Sequence, residues 1–381
     1  AKDQEQASLI MSLEHLEHLQ LDFWRRPMKF DLSMDIRVPR GSLQAFKAFL
    51  ESNSVHYSVM IQDLQVCALR LNLSMMERST GSFNYGTYHT LQEVRSHLFH
   101  AHQPTLSMRH LILLGLREEL ITLNFSTGGA SRPAIWIDSG IHAREWVSPA
   151  SAIWMAKKMA SEYGSDFAIT SLLNKMDVFM EIVVNPDGYL YTHSRNRMWR
   201  KTRSKVSGSS CVGVDANRNF DAGFGGPGTS GNPCLETYRG THAHSEPEVQ
   251  AIVNFVLEHR NIKSFITIHS YSQLLMFPYG YKCSPPTSYY ELAAIASSAV
   301  ADLSSLYGTR YRTGTICDTI YQASGGSIDW TYDMGIQYSF AFELRDTGYH
   351  GFLLPPEQII PTAQETWLAM TYIMDYVQAR S

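Results

Sequence analysis

Three side chains in this sequence are of the types that hold a catalytic metal. Residues 142–145 read His-Ala-Arg-Glu just past the apolar run 134–137, so His142 and Glu145 stand three positions apart near a strand end. A second apolar run, 265–268, ends in His269, 124 positions beyond Glu145. Two close ligands and one distant one suit a site closed by the fold. Three protein ligands with a fourth position open is the arrangement of a catalytic zinc rather than a structural one. The spacing differs from the helical H-E-x-x-H metal motif. Alone, H-x-x-E recurs by chance as a surface His and a solvated Glu, and it is the strand-end placement of all three that argues for a site. Asp215 is a candidate acceptor for the outer nitrogen of a ligand imidazole.

Three further groups carry chemistry. Glu343 follows the apolar stretch 338–342, so its carboxylate would emerge from a low-dielectric wall, where it can take a proton from a metal-bound water and return it to a leaving group. Without the metal residues, an ion pair with Arg345 would be the simpler reading. Arg197, Arg200, Asn217 and Arg218 form a basic group suited to a polarised carbonyl and a carboxylate; the bland alternative is a basic loop over 195–203. Residues 320–330 place Tyr321 before a small-residue loop, where a phenol can close over a ligand. There Gly325 and Gly326 leave space for a large side chain, and Ser327 is expected to cap a helix beginning near Asp329.

The elements that would position these groups fall into two regions. Residues 1–78 read as a small α+β unit: helix over 13–20, strand over 35–38, amphipathic helix over 42–52, strand over 57–61. A polar stretch, 77–86, contains Arg78, where a trypsin-like protease can cut. Residues 79–381 alternate helix and strand, with helices over 147–163, 246–260, 289–307 and 356–380 and strands over 177–184, 264–269 and 338–344. This predicts a mixed, mostly parallel sheet covered by helices, with the site at the carboxyl ends of its strands.

Bulk properties set limits. The 381 residues are 44% hydrophobic and 18% charged with a formal net charge of −4, an ordinary globular composition that argues against a nucleic-acid or anionic-membrane partner. No apolar stretch approaches the ~18–20 residues of a membrane span. The N-terminus, Ala1-Lys2-Asp3-Gln4, is polar and does not read as a signal peptide. Five cysteines allow either two disulfides and one free thiol or five reduced thiols. Cys211 and Cys234 flank a Gly-rich stretch, Cys283 and Cys317 are a second candidate pair, and Cys67 is left over.

Longer strings carry a resemblance. Residues 140–146 (GIHAREW), 185–189 (NPDGY), 196–204 (NRMWRKTRS), 215–219, 268–281, 320–330 and 342–348 (FELRDTG) resemble the funnelin metallocarboxypeptidases of the pancreatic procarboxypeptidase A type, nearly throughout the chain. The stretches 205–208 and 225–228, the Cys283/Cys317 pair and Ala341 resemble the second A isoform most.

The resemblance implies an α/β zinc carboxypeptidase fold preceded by a ferredoxin-like activation domain. His142, Glu145 and His269 would bind one Zn²⁺, Glu343 would be general base and acid, and Arg200 would stabilise the oxyanion. Asn217, Arg218 and Tyr321 would hold the substrate's terminal carboxylate, and Arg144, Tyr271 and Phe352 would contact the substrate further from the cut. Ile328, at a position acidic in relatives that release basic C-terminal residues, and small Ala341 would line a roomy apolar pocket for bulky aromatic C-terminal residues. It also pairs Cys211 with Cys234 and implies a secreted, monomeric zymogen. Its partners would be peptide C-termini and a trypsin-like activator cutting after Arg78.

Departures from the pattern motivate a second reading, a catalytically impaired relative that binds peptide C-termini. The stretch 3–11 looks like an eroded first strand, the helix before Arg78 is short at 71–74, and 97–124 lacks the usual turn. His350 replaces a Tyr, which either adds an imidazole near the site or is a tolerated loop change. Asn72 and Asn124 begin N-glycosylation sequons, the second expected in a strand. Against this reading, no metal ligand or base is missing.

Overall fold

The computed structural model describes residues 1–29, 31–66, 83–100, 107–113, 118–128 and 132–381. Cys67, Asn72 and Arg78 lie outside these residues, as do 71–74 and 114–117.

The N-terminal unit starts with helix α1 (Gln4–Ser12), where an eroded strand was expected. Asp3 caps it, accepting from the Gln6 backbone N–H at 2.8 Å, and Ala7 and Ile10, three positions apart, are buried. That spacing puts both on one helical face, which the polar composition hides. Two 3₁₀ turns, Leu13–His15 and Glu17–Leu19, replace the helix expected over 13–20. Strand β1 (Asp22–Arg25) pairs antiparallel with β2 (Asp35–Arg37), and helix α2 (Leu43–Ser52) follows. Phe46 and Leu50 of α2 pack with Ile10, Leu13, Phe23 and Val55 into a small core. The strand expected over 57–61 does not form. Tyr57 and Val59 alternate as a strand would, but they are 43% and 54% exposed and form no strand pairing among the described residues.

The larger unit is an eight-stranded sheet ordered β3-β4-β6-β5-β7-β10-β8-β9. Its strands are β3 (Ser107–Leu113), β4 (Leu120–Ser126), β5 (Ala134–Ser139), β6 (Asp177–Glu181), β7 (Ile262–Ser270), β8 (Leu274–Phe277), β9 (Arg312–Thr315) and β10 (Tyr338–Leu344). β6, β5, β7 and β10 run parallel, while β4 and β8 join this centre antiparallel. The Asn124 sequon lies in paired strand β4, as expected.

Helices cover both faces. On one lie α3 (Leu91–His100), α4 (Val147–Glu162), α5 (Phe167–Lys175), α8 (Tyr289–Tyr307) and α11 (Ile359–Gln378); on the other lie α7 (Pro247–Glu258) and α10 (Ser327–Asp333). The short helices α6 (Pro186–Ser194) and α9 (Ile316–Thr319) complete the set among the described residues. Strand β5 shows why the layers form: Ile135 and Ile137 enter the first core, Ala134 and Trp136 the second. Period-two alternation with both faces apolar commits a strand to the middle of a sandwich. Among the described residues, no helix is long and apolar enough to cross a membrane.

Candidate metal centre and substrate groove

The carboxyl ends of β5, β7 and β10 meet at one point. Parallel register sets Glu343 of β10 beside His269 of β7, and Ser139, the last residue of β5, beside Ile268. The chain then turns through Gly140, at φ +67°, to reach His142 and Glu145. His142, Glu145 and His269 are all buried, with ligand atoms within 4.8 Å of one another. Glu145 Oε1 is 2.7 Å from His142 Nδ1, Glu145 Oε2 is 3.1 Å from His269 Nδ1, and the two Nδ1 atoms are 3.1 Å apart. Asp215 Oδ1 sits 3.1 Å from the outer nitrogen of His142, as expected for an orienting acceptor.

The donor set fits a zinc ion. Two imidazole nitrogens and a carboxylate converge on one point, buried and close enough together to hold a metal ion. Two His and one Glu with an open fourth direction is a catalytic zinc set. Although burial pushes it upward, the Glu145 carboxyl is held well below its usual range by His142 and His269. Burial, with the Arg200 charge, lowers His142 and favours the neutral ligand form.

Around this centre stand the other expected residues. Arg200 makes a double contact with Asp215 Oδ2 through Nε at 3.1 Å and Nη2 at 2.9 Å, leaving Nη1 3.8 Å from Glu145. Although burial raises it, Asp215 is held well below the ordinary range by Arg200, Arg218 and His142. Glu343 is pushed up to about 8 by burial and by the neighbouring Glu145 charge. Its ion pair with Arg345 is not made: Arg345 donates to Glu365 through Nε at 2.7 Å.

Asn217 accepts from the Ser327 N–H at 3.0 Å, and its Nδ2 lies 3.4 Å from His269 Nε2. Arg218 donates through Nε to the Gly228 carbonyl at 3.0 Å and through Nη2 to the Tyr321 hydroxyl at 3.3 Å. Among the described residues it has no carboxylate partner. Gly325 does not leave the space expected of it. At φ +76° a Cβ there would lie 2.2 Å from the Arg218 carbonyl oxygen, so glycine is what lets this loop rest on Arg218. Gly326, rather than Ser327, is the cap residue of α10.

Ile328 and Ala341 are buried in the second core. The acid beside Ile328 is committed elsewhere: Asp329 accepts from the Gly280 N–H at 2.8 Å and the Tyr281 N–H at 2.8 Å. Arg197, grouped with Arg200 in the sequence, is buried apart from the metal centre on the Trp146 ring. His350 is not among the clustered ligands; its N–H donates to Asp346 at 2.6 Å and its ring packs edge-on against Tyr349.

The N-terminal unit packs on the residues expected to contact substrate further from the cut. Arg144 donates to Asp22 of β1 at 2.7 Å in a pair almost wholly buried. Trp24 meets the Phe352 ring edge-on at 5.1 Å, and the Tyr271 hydroxyl donates to Asp35 at 2.7 Å. The three residues expected to contact substrate far from the cut are thus covered by Asp22, Trp24 and Asp35. Sequence reasoning passed over those three, because only the fold brings them across.

Comparison with known proteins decides the family. A zinc carboxypeptidase model matches residues 116–369 and a carboxypeptidase activation peptide model matches residues 1–67. The chain belongs to the zinc carboxypeptidase family. It is 56% identical to carboxypeptidase A1 of Sus scrofa, covering 98% of this chain and 91% of that one. To carboxypeptidase A2 of Mus musculus it is 54% identical, over 99% and 92%. Its fold superposes on thrombin activatable fibrinolysis inhibitor with a TM-score of 0.90 at 34% identity, covering 100% and 97%. A carboxypeptidase A of Helicoverpa armigera gives a TM-score of 0.90 at 25% identity, over 100% and 96%. This zinc metallocarboxypeptidase is therefore made as a zymogen with an activation peptide. The structure carries the disulfides Cys211–Cys234 and Cys283–Cys317.

Proposed function

We propose that this carboxypeptidase releases apolar and bulky aromatic C-terminal residues, with residues 1–78 as the activation domain and 79–381 as the enzyme. Support comes chiefly from Arg218, a buried cation with no carboxylate of its own among the described residues, standing with Asn217 and Tyr321 beside the metal ligands. Such a cation suits a substrate's terminal carboxylate, bound bidentately. A terminal carboxylate fixed there sets the last peptide bond at the metal and makes the enzyme an exopeptidase.

When bound, zinc supplies a water of lowered pKa and polarises the scissile carbonyl. Glu343 takes the proton of the attacking water and passes it to the leaving amine. Burial and the neighbouring Glu145 charge hold the Glu343 carboxyl above the ordinary carboxylate range, the direction that strengthens it as a base. Arg200, oriented by Asp215, offers its free N–H edge to the developing oxyanion. Burial beside Ile328 and Ala341 favours an apolar side chain over Lys or Arg, since Asp329 is already satisfied by backbone donors.

Activation follows cleavage after Arg78 by a trypsin-like protease, which frees the groove from Asp22, Trp24 and Asp35. A secreted protein fits the two disulfides. The test is the trypsin-treated chain on blocked dipeptides ending in Phe, Trp, Leu or Lys. Hydrolysis of the first three over Lys is expected; a preference for Lys would refute the pocket assignment.

A further inference from the structure

We propose that Thr267 is a positioning residue of the metal centre: it links the Asp138 carboxylate to the outer nitrogen of His269 and so sets how firmly that ligand holds zinc. This rests on His142, Glu145 and His269 being the metal ligands. His142 has a carboxylate of its own, since Asp215 Oδ1 meets its outer nitrogen at 3.1 Å. Among the described residues, only Thr267 and Asn217 meet the outer nitrogen of His269. Strand geometry brings a carboxylate one step further back. Thr267 and His269, two positions apart on β7, project to the same face, and the parallel register sets Thr267 beside Asp138 of β5. Thr267 Oγ1 lies 3.3 Å from His269 Nε2 and donates to Asp138 Oδ1 at 2.5 Å. All three residues are buried.

Hydrogen-bond direction is fixed at every step of this chain. His269 turns Nδ1 toward the other ligands, 3.1 Å from Glu145 and 3.1 Å from His142. A neutral imidazole that gives Nδ1 to a metal keeps its hydrogen on Nε2 and must donate it. Asn217 cannot accept it. Its Oδ1 already accepts from the Ser327 N–H at 3.0 Å, so the group that faces Nε2 at 3.4 Å is the Nδ2 donor. Thr267 Oγ1 is left as the acceptor, and its own hydrogen goes to Asp138. The second oxygen of Asp138 accepts from the Trp136 indole N–H at 2.8 Å. Burial pushes Asp138 up to about 6 against these two donors, so it carries its charge at pH 7 and above. A carboxylate behind a ligand imidazole fixes the ring and raises its basicity. Here the hydroxyl passes that effect on, because each bond of a hydrogen-bonded chain polarises the next. Strand β5 thus leads into the loop that carries two ligands and also supports the third.

The experiment measures the zinc dissociation constant of the full chain by competition with a chelator, for the parent, Thr267→Val and Thr267→Ser. Valine keeps the shape and removes the hydroxyl, whereas serine keeps the hydroxyl. The expected result is a constant raised roughly tenfold for the valine variant and held within about twofold of the parent for the serine variant. A valine variant that binds zinc as tightly as the parent would overturn the proposal. So would a serine variant as weak as the valine one, since shape and not the hydroxyl would then set the affinity. If the valine variant does not fold, Thr267→Ala takes its place in the same comparison. A parent chain that takes up no zinc would instead defeat the metal centre on which the proposal rests.

Discussion

Chemistry concentrates in a few side chains whose environments are opposed. Glu145 is held ionised by two imidazoles, whereas Glu343, one strand away, is pushed up to about 8 by burial and by Glu145. In the proposed mechanism a permanent ligand and a proton carrier are thus separated by their surroundings. Replacing Glu343 by Gln removes the proton carrier but no ligand. Turnover should fall by at least about 10²–10⁴-fold, with zinc content by metal analysis unchanged. Residual peptide cleavage near the parent rate would displace Glu343 from its role. These residues were legible because each sits at a strand end inside a distinctive string. Asp22, Trp24 and Asp35 were not, since nothing local marks a residue that meets its partner across the fold.

Strands and helices explain both the successes and the misses of sequence reading. Strand β10 and helix α8 were read with their bounds intact, because a nearly continuous apolar strand and a long helix with one apolar stripe leave few alternatives. The N-terminal unit misled at 3–11 and 57–61, where short amphipathic stretches carry little periodicity and packing decides. The turn at 114–117, within the divergent stretch 97–124, lies outside the described residues.

One sheet element has a measurable pH signature. Glu181 of β6 stands beside Asp138 of β5 and is pushed up to about 8 by burial. A carboxyl raised in the folded state binds its proton more tightly there than in the unfolded chain. Its contribution is therefore complete below the ordinary glutamate value of 4.5 and is lost as pH rises toward about 8. Glu181→Gln should flatten the fall of thermal stability across that window, a slope of up to about 1.4 kcal/mol per pH unit. An unchanged pH–stability curve would show that Glu181 is not buried as a neutral acid.

At the scale of the whole molecule, a small α+β unit lies on the groove of a large sheet protein, and its grip runs through Asp22, Trp24 and Asp35. The buried Asp22–Arg144 pair is the contact whose loss should matter most, because breaking such a pair strands a charge. Asp22→Ala should raise hydrolysis of extended peptides by the uncleaved chain several-fold, and leave the trypsin-activated enzyme as it was, since residue 22 is then gone. Equal basal rates in mutant and parent would place the inhibitory grip elsewhere. The most direct test of the account as a whole is hydrolysis of a blocked dipeptide ending in Phe, before and after mild trypsin, with and without a zinc chelator. Activity that rises on cleavage, disappears with chelator and returns with added zinc is the expected result. A folded, zinc-loaded, cleaved protein that leaves the dipeptide intact would contradict it and favour a relative that only binds peptide C-termini.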